Sequence, residues 1–203
     1  MSDPELLERW RAGDQAAGSQ LFDRHFKALY RFFRSKVDCS CDDLVQDTLL
    51  ACVRSRDRLD TDVSFRAYMF GTARRRLMKH YATKGGARVD FTQASVADLS
   101  PGAGSILAKR QEDQLIIRAL RTLPIDYQIA LELHEWEGLT GPEIATVLAV
   151  PEGTVRSRIR RARIQLRQTL EELAASPALV ESTMTRLEQW ADAVRELVDP
   201  PPA

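Results

Sequence analysis

The chain has 203 residues, of which 44% are apolar and 29% charged, with 29 Lys+Arg balanced by 29 Asp+Glu. This is ordinary globular composition, enough for one large or two small domains, and the zero net charge by itself calls for no polyanionic partner. No apolar run approaches the ~18 residues of a membrane span, the opening Met1-Ser-Asp-Pro-Glu has no signal-peptide pattern, and Cys39, Cys41 and Cys52 are too few for a disulfide framework, so a cytoplasmic protein without membrane insertion is expected.

Almost every periodic stretch predicts helix. Ser2 or Asp3 ahead of Pro4 starts a short helix through Trp10. Gly13 breaks it, and Asp14 can cap the next, where Leu21, Phe22, Phe26, Leu29, Tyr30 and Phe33 recur at three- and four-residue steps. After a turn at Asp38–Cys41, Asp42 is the expected cap of a helix whose Leu44, Val45, Thr48, Leu49 and Cys52 share a face. A polar turn, Arg56–Asp62, precedes a further helix from Ser64 to Tyr81. Sustained two-residue alternation is lacking, so no strand is expected.

From Gly85-Gly86 through Pro101, Gly102 and Gly104 the periodicity fades for roughly 25 residues, which reads as an interdomain linker. A second helical unit follows. Leu115, Ile116, Ala119, Leu120 and Leu123 form one stripe; Ile129, Leu133 and Trp136 form another; two closely spaced helices, Pro142–Ala149 and Thr154–Leu170, complete it. The tail from Ala178 to Val198 carries Val180, Met184, Leu187, Ala191, Val194 and Leu197 on one side and ends at Pro200-Pro201-Pro202. The expected architecture is therefore all-α: two small helical domains, 1–83 and 112–173, a linker at 84–111, and an acidic amphipathic helix within 174–203.

Charge is unevenly placed along this frame. Arg66, Arg74, Arg75, Arg76, Lys79, Lys84 and Arg88 fall in a stretch without an acid, and six arginines without an acid lie between Arg156 and Arg167. Two basic blocks on a jointed chain fit two contact surfaces for one polyanion. In the second block, Ile144 and Leu148 face a core and Ala145 is small enough for a close helix crossing. Pro151-Glu152-Gly153 supplies a turn, and Val155, Ile159, Ala162 and Leu166 form a buried stripe. That is a helix-turn-helix, with Arg156, Ser157, Arg160, Arg161, Arg163 and Arg167 left on the outer surface. The major groove admits such a helix; arginines at its start can pair with guanine, and those further along neutralise phosphate. The bland alternative, a hairpin with a solvated basic face, leaves the mutual repulsion of the arginines unanswered. The first block, Phe65 to Tyr81, interleaves aromatic and basic residues, as single-stranded or melting DNA requires; Phe65, Met69 and Leu77 read as core.

At this point the residues between Glu5 and Leu173 resemble the extracytoplasmic-function sigma factors of bacterial RNA polymerase. Asp42-Asp-Leu-Val-Gln-Asp-Thr-Leu is similar to the family's region 2.2, which implies that Asp43, Gln46 and Asp47 grip the clamp helices of the polymerase β′ subunit. Phe65–Tyr81 resembles regions 2.3 and 2.4, which implies −10 contacts by Arg66, Tyr68, Arg74, Arg75, Arg76 and Lys79. Tyr68, Arg75 and Lys79 stand where the family usually has Trp, Asn and an acid. The loop Arg56–Ser64 occupies the place where members capture a flipped-out base. Leu123 through Leu170 resembles region 4, which implies −35 contacts by Thr154, Arg156, Ser157, Arg160, Arg161 and Arg163, and a contact of this unit with the β flap. The implied partners are core polymerase and promoter DNA, with room for an anti-sigma factor; the implied linker threads the polymerase cleft.

Other functions find less support. No phosphate loop, zinc-protease helix or Ser/His/Asp set occurs, so no catalytic residue, metal ligand or cofactor is assigned. Cys39-x-Cys41 makes half a zinc site at most, Cys52 reads as core, and His25, His80 and His134 are scattered. A dimeric helix-turn-helix regulator would account for Thr140–Leu170 but not for the Asp43/Gln46 segment. A helical interaction protein would leave the arginine cluster unexplained. The acidic tail is expected either to pack on the second unit or the linker and modulate access, or to serve as a stabilising appendage.

Overall fold

The computed structural model describes residues 1–37, 40–59, 64–85, 89–100 and 111–185. Among these residues the fold is helical, with no strand and one isolated bridge, Ser95 to Pro124. Helix α1 (Asp3–Arg11) opens on a capping box: Ser2 accepts from the Glu5 N–H while the Glu5 carboxylate accepts from the Ser2 N–H. Helix α2 (Gln15–Arg34) is capped by Asp14, which accepts from the Ala17 N–H. Gly18 lets α2 lie on the Trp10 indole, since a Cβ there would come within 2.5 Å of the ring. The stripe of α2 runs through Leu21, His25, Ala28 and Phe32, which leaves Phe26 beyond its edge. Phe26 is therefore exposed rather than core, and stacks on Tyr30 with 6.3 Å between ring centroids.

Helix α3 (Cys41–Arg54) begins earlier than the sequence suggests. Ser40, left-handed at φ 66°, precedes it without a side-chain cap bond, and Asp42 lies inside the first turn, where its charge favours the helix dipole. Leu44, Val45, Thr48 and Cys52 are buried as the spacing requires. A short 3-10 turn, Arg56–Arg58, follows, and then α4 (Phe65–Gly85), whose start is marked by Ser64 Oγ accepting from the Ala67 N–H at 3.2 Å. Phe65, Met69 and Leu77 are core.

Part of the expected linker is packed. Phe91 and Val96 are buried, α5 (Val96–Leu99) is capped by a reciprocal Ser95/Asp98 pair, and the N–H groups of Asp126 and Ile125 donate to Phe91 O at 2.9 Å and Ala94 O at 3.0 Å. Pro101, Gly102 and Gly104 lie outside the described residues. The second unit consists of α6 (Gln111–Arg121), α7 (Ile125–Glu135), α8 (Gly141–Leu148) and α9 (Glu152–Leu173). Thr140 and Glu143 form the capping box of α8. The turn between α8 and α9 falls at Ala149–Pro151, not Pro151–Gly153. Ala149 turns left-handed at φ 55°, and α9 already contains Glu152 and Gly153. Proline explains the shift: it keeps Val150 out of the helical region and stands at the N-terminal boundary where its missing N–H costs nothing.

One apolar core runs through both units. α4 lies along α8 so closely that a Cβ on Gly71 would sit 3.8 Å from Val147 Cα. Beyond α9, residues 177–185 are helical again; Val180 is buried, and Glu181 pairs with Arg167 at 2.7 Å. Leu187, Ala191, Val194 and Leu197 of the expected tail stripe lie outside the described residues.

Candidate nucleic-acid interface

Helix α9 presents the first surface. Val155, Ile159, Ala162, Leu166 and Leu170 bury one face against the second unit, so Arg156, Ser157, Arg160 and Arg161 emerge on the other, with Thr154 half-buried at its start. Arg156 is 74% exposed, its only ion-pair partner among the described residues being Glu152 at 3.9 Å. Arg161 approaches the Tyr127 hydroxyl at 3.4 Å, and Ser157 Oγ donates to Thr154 O at 2.8 Å. These side chains converge on a cationic face with no carboxylate on Arg160 or Arg161 among the described residues. Arg163 is different: it donates to Glu135 through Nε at 3.0 Å, at the rim of the same helix. Arg167 is drawn toward Glu181.

The sixth arginine of the block is not on this face at all. Arg158 is buried, donating to Asp126 Oδ2 at 3.0 Å. Its place three residues after Val155 and four before Ala162 puts it on the apolar stripe, so helical spacing alone could have separated it from its neighbours.

The −10 set expected on α4 divides in two. Tyr68 is half-buried and lines a cleft with Leu59, Arg75 and, from α8, Thr146. Arg75 is exposed and donates to Thr72 Oγ1 at 2.8 Å; Arg76 is half-buried and Lys79 exposed. Arg74 and Arg66, in contrast, are held by the second unit. Arg74 grips Asp126 in a fork, Nε to Oδ1 at 2.8 Å and Nη2 to Oδ2 at 3.0 Å, and Arg66 donates to the Glu137 carbonyl.

Further polar contacts cross between the units nearby. Arg31 pairs with Glu137 at 2.7 Å, Ser64 Oγ donates to Glu143 Oε1 at 2.7 Å, Arg121 Nε donates to Ser35 O at 3.1 Å, and Lys36 is bound to Glu132. Burial pushes the Glu143 carboxyl up, but the Ser64 and Thr140 bonds outweigh it and hold the group below its ordinary value. None of these inter-unit partners is suggested by the sequence, because each pairs residues from distant helices.

Helix α3 carries a third surface. Asp43, Gln46 and Asp47 are exposed together on the side opposite Leu44, Val45 and Cys52. Leu50 and Val53 extend the same face at 43% and 46% exposure. Sequence reasoning passed over these two, although seven-residue steps from Asp43 and Gln46 lead to them. Cys41 and Cys52 are buried thiols, each pushed up to about 12 by burial; Cys39 lies outside the described residues. Among the described residues no group of three His, Cys, Asp or Glu side chains could hold a metal, and no helix is long and apolar enough to cross a membrane.

The family models for Sigma-70 region 2 and Sigma-70 region 4 match residues 21–86 and 113–166. The chain is 31% identical to the RNA polymerase sigma factor NccH of Alcaligenes xylosoxydans xylosoxydans over 84% of its own length and 98% of that protein. It is 30% identical to the ECF RNA polymerase sigma-E factor of Escherichia coli strain K12, over 80% of its length and 91% of that protein. The chain belongs to the extracytoplasmic-function sigma factors. Among solved structures it resembles CnrH in complex with the cytosolic domain of CnrY, with TM-score 0.64, 28% identity, and 85% and 99% of the two chains covered. The fold also matches the sigma factor RpoE in complex with the anti-sigma factor NepR from Bartonella quintana, with TM-score 0.56 and 22% identity over 75% and 96% of the two chains. As a sigma factor of this family it directs RNA polymerase to promoters, acting by binding rather than as an enzyme.

Proposed function

We propose that this sigma factor divides its work among three surfaces. Asp43, Gln46 and Asp47 engage the β′ clamp helices of core polymerase, with Leu50 and Val53 as the apolar centre of that contact. Arg66, Tyr68, Arg74, Arg75, Arg76 and Lys79 hold and read melted −10 DNA. Thr154, Arg156, Ser157, Arg160, Arg161 and Arg163 enter the −35 major groove, and the same unit meets the β flap. The working division is residues 1–83, a linker at 84–111, residues 112–173, and an extension at 174–203. The site of action is the cytoplasm, where polymerase and DNA are. CnrH was solved with CnrY and RpoE with NepR, and on that precedent an anti-sigma factor belongs among the candidate partners.

The observation that carries the reading is one chain with an outward cationic α9 face and an outward acidic-apolar α3 face. An operator-binding regulator has use for the first and none for the second. The test is transcription in vitro with core polymerase on the DNA upstream of this protein's own coding region. Asp43→Arg/Asp47→Arg should abolish co-purification with core polymerase and leave binding to −35 duplex intact. Arg156→Ala/Arg160→Ala should do the reverse. If the α3 variant binds polymerase as tightly as the unaltered chain, the assignment of that face is wrong.

A further inference from the structure

We propose that Glu181, in the C-terminal extension, ends the DNA footprint of α9: it occupies Arg167 and so weakens the helix's hold on every duplex by the same factor, without touching base choice. The inference rests on the −35 reading of α9 above. It gives the extension a partner on the recognition helix and a task there.

Arg156, Arg160, Arg163 and Arg167 follow one another at steps of four, three and four, a single line along α9. Their carboxylate partners are not spread evenly along it. Arg156 has Glu152 only at 3.9 Å, and Arg160 has none among the described residues. Arg163 meets Glu135 through its Nε at 3.0 Å. Arg167 donates to both oxygens of Glu181, Nη1 to Oε1 at 2.7 Å and Nη2 to Oε2 at 3.5 Å, and Glu171 stands 4.0 Å away. The line is cationic where the helix begins and neutralised where it ends.

Helix geometry says what the last arginine could have met. At about 1.5 Å of rise per residue, Arg163 lies about 10 Å beyond Arg156, inside the ~12 Å width of the major groove. Arg167 lies about 16 Å beyond it, past the base edges and over the phosphate chain. A cation there adds affinity for any sequence and information about none.

An exposed ion pair alone would not keep phosphate away, because such pairs are weak and screened. Glu181 is carried by a packed helix instead. Residues 177–185 are helical, and Ser176 Oγ accepts from the Leu179 N–H at 3.3 Å at their start. Val180 and Thr183, on either side of Glu181, are buried, and Leu179 and Met184 pack against the same core. The carboxylate is thus held beside Arg167 before DNA arrives, and a phosphate must displace it. The Arg167 hydrogen bond keeps the Glu181 carboxyl below its ordinary value, so it is ionised at neutral pH.

The Glu181 side chain is 65% exposed, so Glu181→Gln leaves the Val180 and Thr183 packing in place. The full-length Glu181→Gln, Arg167→Ala and Arg167→Ala/Glu181→Gln proteins are titrated by fluorescence anisotropy across salt concentrations. One duplex comes from the DNA upstream of this protein's own coding region; the other is a scrambled duplex of equal length. Glu181→Gln should steepen the log–log salt slope by about 0.9 and tighten both duplexes about 5–10-fold at about 0.1 M salt, the share of one phosphate contact. The ratio of the two affinities should not move. In the Arg167→Ala background the same substitution should steepen nothing.

A Glu181→Gln slope equal to that of the unaltered chain overturns the proposal. So does a steepening that survives in Arg167→Ala, which would make Glu181 a distant charge acting on the whole face. A gain confined to one duplex overturns it too, since Arg167 would then read bases. Arg156→Ala/Arg160→Ala checks the reading beneath: if both duplexes are bound as tightly as before, the −35 assignment of α9 falls, and this inference with it, whatever Glu181 does.

Discussion

Arginines on two helices of this sigma factor meet opposite fates. On α4, Arg66 and Arg74 are held by oxygens of the other unit; on α9, Arg156, Arg160 and Arg161 point into solvent. The difference lies in how many faces each helix buries. α9 packs one stripe into its own unit and leaves the remainder outside. α4 is enclosed on one side by region 2 and on the other by α8, so its flanking cations are partly desolvated and require a partner. Buried charge on this molecule is thus a mark of the seam between units, and exposed charge a mark of faces that pack against neither unit.

The largest test of that contrast is at the deepest cation in the seam. Lys36 is 0% exposed; its Nζ binds Glu132, donates to Phe32 O and Ser35 Oγ at 3.0 Å each, and lies 4.3 Å from the Phe32 ring centroid. Burial pushes the Lys36 ammonium below the usual lysine range, against the opposing pull of Glu132. Lys36→Met leaves the Glu132 carboxylate buried without its cation, though still accepting from Gln128 and Ser35, and should lower stability by about 3–5 kcal/mol, while Lys36→Met/Glu132→Leu should recover most of it. Urea unfolding measures both. A loss under about 1 kcal/mol would mean that water reaches the pair and that the seam is not sealed.

The exposed set should behave in the opposite way. Arg156→Ala or Arg160→Ala should change stability by no more than about 0.5 kcal/mol. Either should weaken −35 duplex binding by about 1–3 kcal/mol if the side chain reads a base, or reduce the salt slope by about 1 if it meets a phosphate. Fluorescence anisotropy at several salt concentrations separates these two. An arginine whose loss unfolds the protein belongs to the seam instead, as Arg158 does by its burial beside Asp126.

Local periodicity explains how much of this could be anticipated. The stripes at Leu44/Val45/Cys52 and Val155/Ile159/Ala162 are decided by neighbours three and four residues away, and with them the outward faces at Asp43 and Arg156. Cap chemistry at Ser2 and Asp14 is equally local. Phe26 shows the limit. Its apolar character agrees with a core stripe, but its angle about α2 lies past the stripe's edge, and only the packing of α2 on its neighbours decides the matter. The seam was invisible for a stronger reason. Lys36 with Glu132, Arg74 with Asp126 and Ser64 with Glu143 are each joined across distant stretches of chain, and an isolated Lys or Asp carries no sign of the partner that will cover it.

A histidine away from the seam gives the smallest effect and a control on the whole contrast. His25 is a core-stripe position of α2, and its Nε2 lies 2.6 Å from Asp3 Oδ2 at the start of α1. Burial lowers its pKa below the ordinary 6.5, outweighing the attraction and hydrogen bond of Asp3, which act to raise it. Between the folded value and about 6.5 the unfolded chain therefore binds more protons than the folded one. Stability falls as pH drops through that window and levels off below the folded pKa, with a slope no steeper than about 1.4 kcal/mol per pH unit from this group. His25→Gln should remove its share, so the gap between variant and unaltered urea midpoints should change from pH 7.5 to 5.5. A constant gap would mean that Asp3 just balances burial; a gap that changes in the opposite direction, with the unaltered chain gaining on the variant as pH falls, would mean that Asp3 outweighs burial at this site. The α1–α2 contact would then hold a charged pair at neutral pH, and buried cations would not be confined to the seam.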